Sequence, residues 1–192
     1  MISVVIPTSN SERLLPRCVD QLAADGGLTA IDRAAVEKGV REALAAGVVA
    51  GYSVVDIKVT VHDGKSHSVD SKEIAFATAG RKAVIAAIQE ARPIVLEPIV
   101  DVEILAPEAA TGDITGDLAS RRGQVAGTDP QAAGQMRVRA LAPLAELTTY
   151  QSRLNALTSG QGRYTVALSH YEAVPPQVQQ LLTSQHRLAP DD

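Results

Sequence analysis

Beyond Pro93, strand and helix patterns follow one another in an order that constrains the fold more than any other feature of the chain. Alternating apolar residues predict a strand up to Ala106. Helical spacing then predicts a helix that ends near Gly123, and a short strand follows near Val125. Small and polar residues at 128–134 predict a turn. This first half therefore has the order strand, helix, strand.

The second half of the segment repeats that order. Apolar residues alternate with arginines around Val138, which predicts a strand. Pro143 precedes a leucine-containing helical pattern, and Tyr164 lies in a last alternating strand. Two consecutive strand-helix-strand units are typical of the split ferredoxin-like fold. The polar composition of residues 176–192 predicts a tail after that fold.

The part of the chain before Pro93 predicts a smaller piece with both helices and strands. Apolar residues recur every four positions over 36–44 and predict a helix, which Asp32 can cap. Strict alternation from Ser53 to His62 predicts a half-buried strand. Asp70 and Glu73 have the spacing of a capping box, so a second helix is expected to follow them.

Composition excludes several classes of protein. The 192 residues are 45% apolar and 21% charged, and no apolar run approaches the roughly 18 residues that a membrane span needs. The net charge is −4, so charge alone does not indicate a nucleic-acid binder. Trp is absent and only 3% of residues are aromatic, which argues against base-stacking modules. Cys18 has no partner for an internal disulfide, and the first residues lack signal-peptide features, so the cytoplasm is expected.

No catalytic or metal-binding pattern stands out in the sequence. Gly64-Lys65-Ser66 has the residue types that end a phosphate-binding loop. That loop also requires a glycine five residues before Gly64, where this chain has Val59, so a turn is expected. The four histidines and the single cysteine lack close ligand spacing. We therefore expect no catalytic residue, no metal and no cofactor, and we expect that this chain binds no GTP.

Five segments of the chain resemble translation elongation factor G. They are Ala35–Leu44, Ala50–Thr60, His67–Phe76, Gly116–Gly123 and Ser169–Pro175. The resemblance is collinear from about Ile31 to Pro175, and it covers the latter part of the fourth domain (domain IV) and all of the fifth (domain V).

The resemblance implies how the chain is divided. Residues 1–30 are a foreign N-terminal segment, 31–92 part of domain IV, 93–175 domain V, and 176–192 the polar tail. The implied fold class is α+β: a truncated domain IV-like βαβα piece followed by a ferredoxin-like βαββαβ domain.

The function implied by the resemblance is ribosome binding during translocation in protein synthesis. The guanine-nucleotide domain of the family is outside the matched part, so this chain is expected not to be an enzyme. In the family, the tip of domain IV enters the decoding region, where a histidine lies close to messenger and transfer RNA. His67 is the matching position. The implied partners are ribosomal RNA and the messenger and transfer RNA at that region, for a monomer with no membrane partner.

Two groups of residues are candidates for RNA contact. The loop between the predicted strand and helix contains Lys65, Ser66, His67 and Ser68. These side chains can meet phosphates or 2′-hydroxyls, or they can belong to an ordinary solvated loop. Farther along, Arg121 and Arg122 can contact ribosomal RNA or complement the C-terminus of their own helix. The sequence leaves these alternatives open.

The chain departs from the family pattern in domain V. Leu147-Thr-Thr-Tyr150 stands where the family has Met-Phe-Gly-Tyr, and Ser152-Arg-Leu-Asn155 replaces Asp-Leu-Arg-Ser. These differences predict a divergent paralogue.

The N-terminal segment departs completely. Residues 1–24 resemble the start of family-two glycosyltransferases, through Ser3-Val-Val-Ile-Pro-Thr-Ser-Asn10. No Asp-x-Asp metal motif follows, so the alternative functions are a glycosyltransferase remnant or an inactive fragment. We also predict that Ile2–Ile6 forms a substitute strand beside Ser53–His62, because truncation of domain IV leaves that strand with an open edge.

Overall fold

The structure is a computed structural model that describes the backbone of residues 2–5 and the whole of residues 29–61 and 72–186. The chain divides into two compact units: unit 1 is Met1–Val95 with Pro175–Asp192, and unit 2 is Leu96–Val174. The elements are, in chain order, β1 (Ile2–Val5), α1 (Ala30–Ala46), β2 (Lys58–Val61), α2 (Glu73–Glu90), β3 (Leu96–Pro107), α3 (Thr111–Ser120), β4 (Gln124–Pro130), β5 (Gln135–Pro143), α4 (Tyr150–Thr158), β6 (Arg163–Ala173) and α5 (Pro176–Gln185). Among these helices, none is long and apolar enough to cross a membrane.

In unit 1, helices α1 and α2 pack closely because glycines lie at their contact. A Cβ atom at Gly39 would lie 2.6 Å from the carbonyl carbon of Ala77 on α2. A Cβ atom at Gly80 would lie 2.7 Å from the carbonyl oxygen of Val36 on α1. Both distances are far below a van der Waals contact, so this helix spacing requires glycine at both positions.

The two ends of α1 are fixed by local hydrogen bonds and by a glycine. Thr29, and not Asp32, is the N-cap: the Asp32 backbone N–H donates to Thr29 Oγ1 at 3.2 Å, and the Thr29 backbone N–H donates to Asp32 Oδ2 at 3.0 Å. The expectation that Asp32 is the cap was therefore displaced by three residues, since Asp32 is the third residue of a capping box. The helix ends at Gly47, whose φ of 79° favours glycine.

Strand β2 is shorter than the alternation of Ser53 to His62 predicts. It begins at Lys58 because Asp56 has a φ of 56°, which interrupts the extended backbone. Val55 is consequently 53% exposed, whereas Val59 is buried. β1 pairs antiparallel with β2 and places Val4 opposite Val59. The predicted pairing is thus confirmed for Ile2–Val5, and Ile6 lies outside the described residues.

Helix α2 also begins later than expected. Glu73 is its first residue, and Lys72 precedes it as an N-cap without a side-chain hydrogen bond. A capping box would place Glu73 at the third helical position, so that prediction was wrong. Its other member, Asp70, lies outside the described residues.

The region predicted as a polar tail, residues 176–192, contains helix α5. Pro176 at the helix start suits the fixed φ of proline. Gln179 ties the helix to unit 1, because its Oε1 accepts a hydrogen bond from the Val95 N–H at 3.2 Å and its Nε2 donates to the Pro93 carbonyl at 3.1 Å. Polar composition was a misleading signal here, since this glutamine pairs with backbone groups of the protein.

Unit 2 has the predicted ferredoxin-like βαββαβ order. Its four strands form an antiparallel sheet in the order β4-β5-β3-β6. Helices α3 and α4 cover one face of the sheet with Ile114, Leu118 and Leu154, each of which is fully buried. The strands contribute the other side of this core, namely Val100, Val102, Ile104, Val138, Ala140 and Ala142.

Two local details of unit 2 differ from the sequence expectation. β4 continues through Thr128 to Pro130, so the turn is confined to 131–134. The helix expected directly after Pro143 is divided into a 3-10 turn at Leu144–Leu147 and α4. Thr148 Oγ1 donates to the Ala145 carbonyl at 2.8 Å, and this local bond competes with a continuous helix.

Candidate nucleic-acid interface

The predicted tip loop lies between two well-defined elements of unit 1. The chain enters it from the buried end of β2 at Val61 and leaves it into α2 after Lys72. The candidate contacts in this loop lie outside the described residues: Lys65, Ser66, His67 and Ser68. Their contact with RNA stays a prediction, as does the solvated-loop alternative.

The second candidate, the pair Arg121 and Arg122, lies at the C-terminal end of α3 in unit 2. The Gly123 N–H donates to the Leu118 carbonyl at 2.8 Å, and the Arg122 N–H donates to the Ala119 carbonyl at 3.2 Å. These bonds form a Schellman-type end. Arg122 occupies its left-handed position with a φ of 62°, where glycine is more usual. The helix end thus directs two adjacent arginines to different partners.

Arg121 is held by three different contacts. Its Nε donates to Asp117 Oδ2 at 2.8 Å, one helical turn earlier, and its Nη1 donates to the backbone carbonyl of Glu146 at 2.7 Å. Its guanidinium carbon lies 5.4 Å from the ring centre of Tyr150. The side chain is only 20% exposed. Arg121 therefore connects the end of α3 with the chain segment that precedes α4.

Arg122 is paired with two carboxylates. Its guanidinium forms a hydrogen-bonded ion pair with Glu97, which is buried at the start of β3, and Nη1 lies 3.6 Å from Glu146 Oε1. Hydrogen bonding to Glu97 raises the pKa of Arg122 and outweighs the opposing effect of burial. Two negative charges thus face one positive charge, which gives this guanidinium a structural role. RNA contact by Arg121 and Arg122 stays a prediction.

Asp117 connects α3 with α4 through a second arginine, Arg153, which was not among the predicted site residues. Arg153 Nε donates to Asp117 Oδ1 at 2.8 Å, while Arg121 occupies the other oxygen. Burial acts to raise the pKa of Asp117, but the hydrogen bonds from the two arginines outweigh burial and lower the pKa. The carboxylate is therefore charged at neutral pH. The spacing of Asp117 and Arg121 indicates a helical pair, whereas the contact with Arg153 spans 36 residues and has no local sequence signal.

Tyr150 supports this group of charged residues from the core. It is fully buried, and its ring meets the ring of Tyr164 edge to face with centres 5.2 Å apart. Burial raises the pKa of Tyr150 to about 12, and the charge of Asp117 adds to this effect. Its hydroxyl has no hydrogen-bond partner among the described residues. Tyr150 thus acts as a neutral, rigid support beneath Arg121.

This region contains three arginines that pair with carboxylates. Residues 29–61 and 72–186 contain no group of three or more His, Cys, Asp or Glu side chains that could hold a metal ion. These arginines are hydrogen-bonded to carboxylates and stay protonated, so none of them is suited to transfer a proton.

Both units match known proteins. The family model for elongation factor G, domain IV, matches residues 31–92, and the model for the elongation factor G C-terminus matches residues 94–182. An elongation factor G-like protein of Thermotoga maritima is 42% identical over 152 residues, which cover 79% of this chain and 22% of that protein. A crystal structure of a protein from Thermus thermophilus is similar with a TM-score of 0.69 and 39% identity, over 82% of this chain and 24% of that one. The chain thus spans less than a quarter of the length of either relative.

Proposed function

Residues 31–182 belong to the elongation factor G family, and from this premise we propose that the chain is the ribosome-binding C-terminal part of an elongation factor G-like protein. Its role is translocation during protein synthesis. The chain acts by binding, as a cytoplasmic monomer, and contributes no catalysis of its own.

The observation that carries this proposal is the order of the two family matches. The domain IV match ends at residue 92 and the C-terminal match begins at residue 94, so the two segments follow each other without an insertion. The first match lies within unit 1, and the second includes unit 2 and most of α5. Two adjacent segments that match two domains of the same family indicate that family more specifically than either segment alone.

Within this role, the loop with His67 contacts messenger and transfer RNA in the decoding region. β2 ends before this loop and α2 begins after it, and loops between regular elements commonly carry the residues that meet a partner. His67 supplies a specific contact, and Lys65 supplies mainly nonspecific attraction to phosphate. The glycosyltransferase alternative concerns residues 1–24, of which all but Ile2–Val5 lie outside the described residues.

Chemical footprinting of small-subunit RNA tests this role. The wild-type chain should protect nucleotides of the decoding region, and His67→Ala should lose that protection because the specific contact is removed. Lys65→Ala is the matched control from the same loop. It should weaken the footprint evenly without changing which nucleotides are protected, since phosphate contacts carry little sequence information.

Two results would contradict the proposal. Equal decoding-region protection by the wild type and His67→Ala would exclude a special role of the histidine. Protection confined to other parts of the ribosome would exclude the decoding region as the partner. Both comparisons use the pattern of protected nucleotides, so a difference in overall affinity does not affect the interpretation.

A further inference from the structure

Arg153 has a guanidinium that is fixed at one side and open at the other. Its Nε donates to Asp117 Oδ1 at 2.8 Å, and Asp117 is a nearly buried anchor with a side chain that is 9% exposed. The Arg153 side chain is 51% exposed. Its two terminal amino groups have no hydrogen-bond partner within the described part of the chain.

The neighbouring arginines differ from Arg153 in this respect. Arg121 uses both Nε and Nη1 within the protein and covers Tyr150. Arg122 uses both terminal amino groups on carboxylates. Arg122 is therefore committed to internal contacts, and Arg121 has only Nη2 left, on a side chain that is 20% exposed. Arg153 keeps both terminal amino groups available on a side chain that is 51% exposed.

The charge around Asp117 favours an anionic ligand at Arg153. Asp117 carries one negative charge, and both arginines that it binds are positive. These three side chains carry one positive charge in excess, and the neighbouring group of Arg122, Glu97 and Glu146 carries one negative charge in excess. The positive charge that faces solvent lies at the open side of Arg153. Gly116 precedes Asp117 on α3. A Cβ atom added at Gly116 would have no other atom within 4 Å, so the space at that position is open.

We propose that Arg153 binds a phosphate of an RNA backbone and that Asp117 is its positioning residue. The inference rests on the proposed function, which supplies the RNA. The paired terminal amino groups of arginine match two oxygens of a phosphate. Because Asp117 already holds Nε, less side-chain freedom is lost when the phosphate binds. Of the three arginines Arg121, Arg122 and Arg153, it is then Arg153 that contacts RNA.

The test measures binding of the full chain to purified ribosomes and to polyuridylic acid over a series of potassium chloride concentrations. Arg153→Gln should weaken ribosome binding roughly tenfold, because a charge-assisted contact is lost. On polyuridylic acid it should reduce the slope of log affinity against log salt by about 0.7, the value for one phosphate of a single strand. Arg139→Gln is the matched control: Arg139 is 57% exposed and pairs with Asp129 on the sheet, and both measurements should stay unchanged.

Asp117→Asn separates positioning from net charge. This variant removes a negative charge. If Arg153 acted only through its charge, the variant would therefore bind RNA more tightly than the wild type. Loss of the anchor should instead weaken RNA binding about threefold, even though the chain becomes more positive. Amide hydrogen exchange in α3 and α4 identifies a variant that has unfolded. In that case the comparison of Arg153→Gln with Arg139→Gln decides alone.

Each outcome decides the inference. If Arg153→Gln and Arg139→Gln behave alike on both probes, the inference is wrong. If Arg153→Gln weakens ribosome binding but leaves the slope on polyuridylic acid unchanged, Arg153 does not act through an RNA phosphate and the inference is overturned. If the slope falls but the wild type does not bind ribosomes, the inference holds while the proposed function fails. If the wild type binds neither probe, both are overturned.

Discussion

Gly39→Ala should destabilise unit 1 by roughly 3 kcal/mol, because the added methyl group would overlap the backbone of Ala77 and force α1 away from α2. For a unit of this size the midpoint of thermal unfolding should fall by roughly 15 °C. Hydrogen exchange followed by mass spectrometry measures each unit separately. Amides of α1 and α2 should lose protection, whereas those of β3 and β5 should keep it.

The matched control for this substitution is Gly116→Ala. Gly116 lies on the exposed side of α3, where a Cβ would meet no atom within 4 Å. Alanine has the higher helix propensity, so the change should stabilise unit 2 by about 0.5–1 kcal/mol. Unchanged protection of α1 and α2 in Gly39→Ala would show that the two helices do not approach each other as closely as the contact of Gly39 with Ala77 requires.

Leu118→Ala should have a comparable effect on unit 2. Leu118 is fully buried between α3 and the sheet. Removal of its side chain leaves a cavity that costs roughly 2–5 kcal/mol. Hydrogen exchange in β3 and β5 monitors the thermal unfolding of unit 2. The midpoint of this unfolding should fall to a lower temperature, whereas the exchange protection of α1 and α2 should stay unchanged.

The control applies the same chemical change at Leu144, which is 45% exposed in the same unit. Leu144→Ala should lower the stability of unit 2 by less than about 1 kcal/mol, because little apolar area returns to water. If Leu118→Ala and Leu144→Ala lowered the stability of unit 2 by the same amount, the core would not lie between the helices and the sheet.

Much of the fold could be predicted because apolar periodicity reports which face of an element is buried. The buried residues of β3 and β5 in unit 2 alternate as the sequence does, so the apolar pattern predicts these two strands. Even the pairing of β1 with β2 was predictable, because an open strand edge and a short apolar segment complement each other.

The errors concern features that depend on single backbone angles or on distant side chains. The positive φ of Asp56 shortens β2. Aspartate adopts such a φ more readily than most residues, but it also suits the polar face of an alternating strand, so the pattern did not reveal the interruption. Helix α5 depends on Gln179, whose partners lie 84 and 86 residues earlier in the chain. Residue composition carries no information about such contacts, so the polar segment was interpreted as a tail.

The candidate site was predictable only in part. The adjacent arginines at the end of α3 and the helical spacing of Arg121 with Asp117 could be recognised from the sequence. Glu97 could not, because it lies 25 residues from Arg122. Arg153 was missed for the same reason. A cation is visible in a sequence, whereas its freedom to bind a ligand depends on which anions the fold brings to it.

Co-sedimentation of the purified chain with ribosomes at two salt concentrations tests the proposed ribosome-binding role most directly. At low salt the chain should pellet with ribosomes in a saturable manner. A fourfold rise in salt should weaken binding roughly tenfold if two phosphates are contacted. A chain that stays in the supernatant at both salt concentrations, or whose binding does not depend on salt, would contradict a ribosome-binding role through RNA.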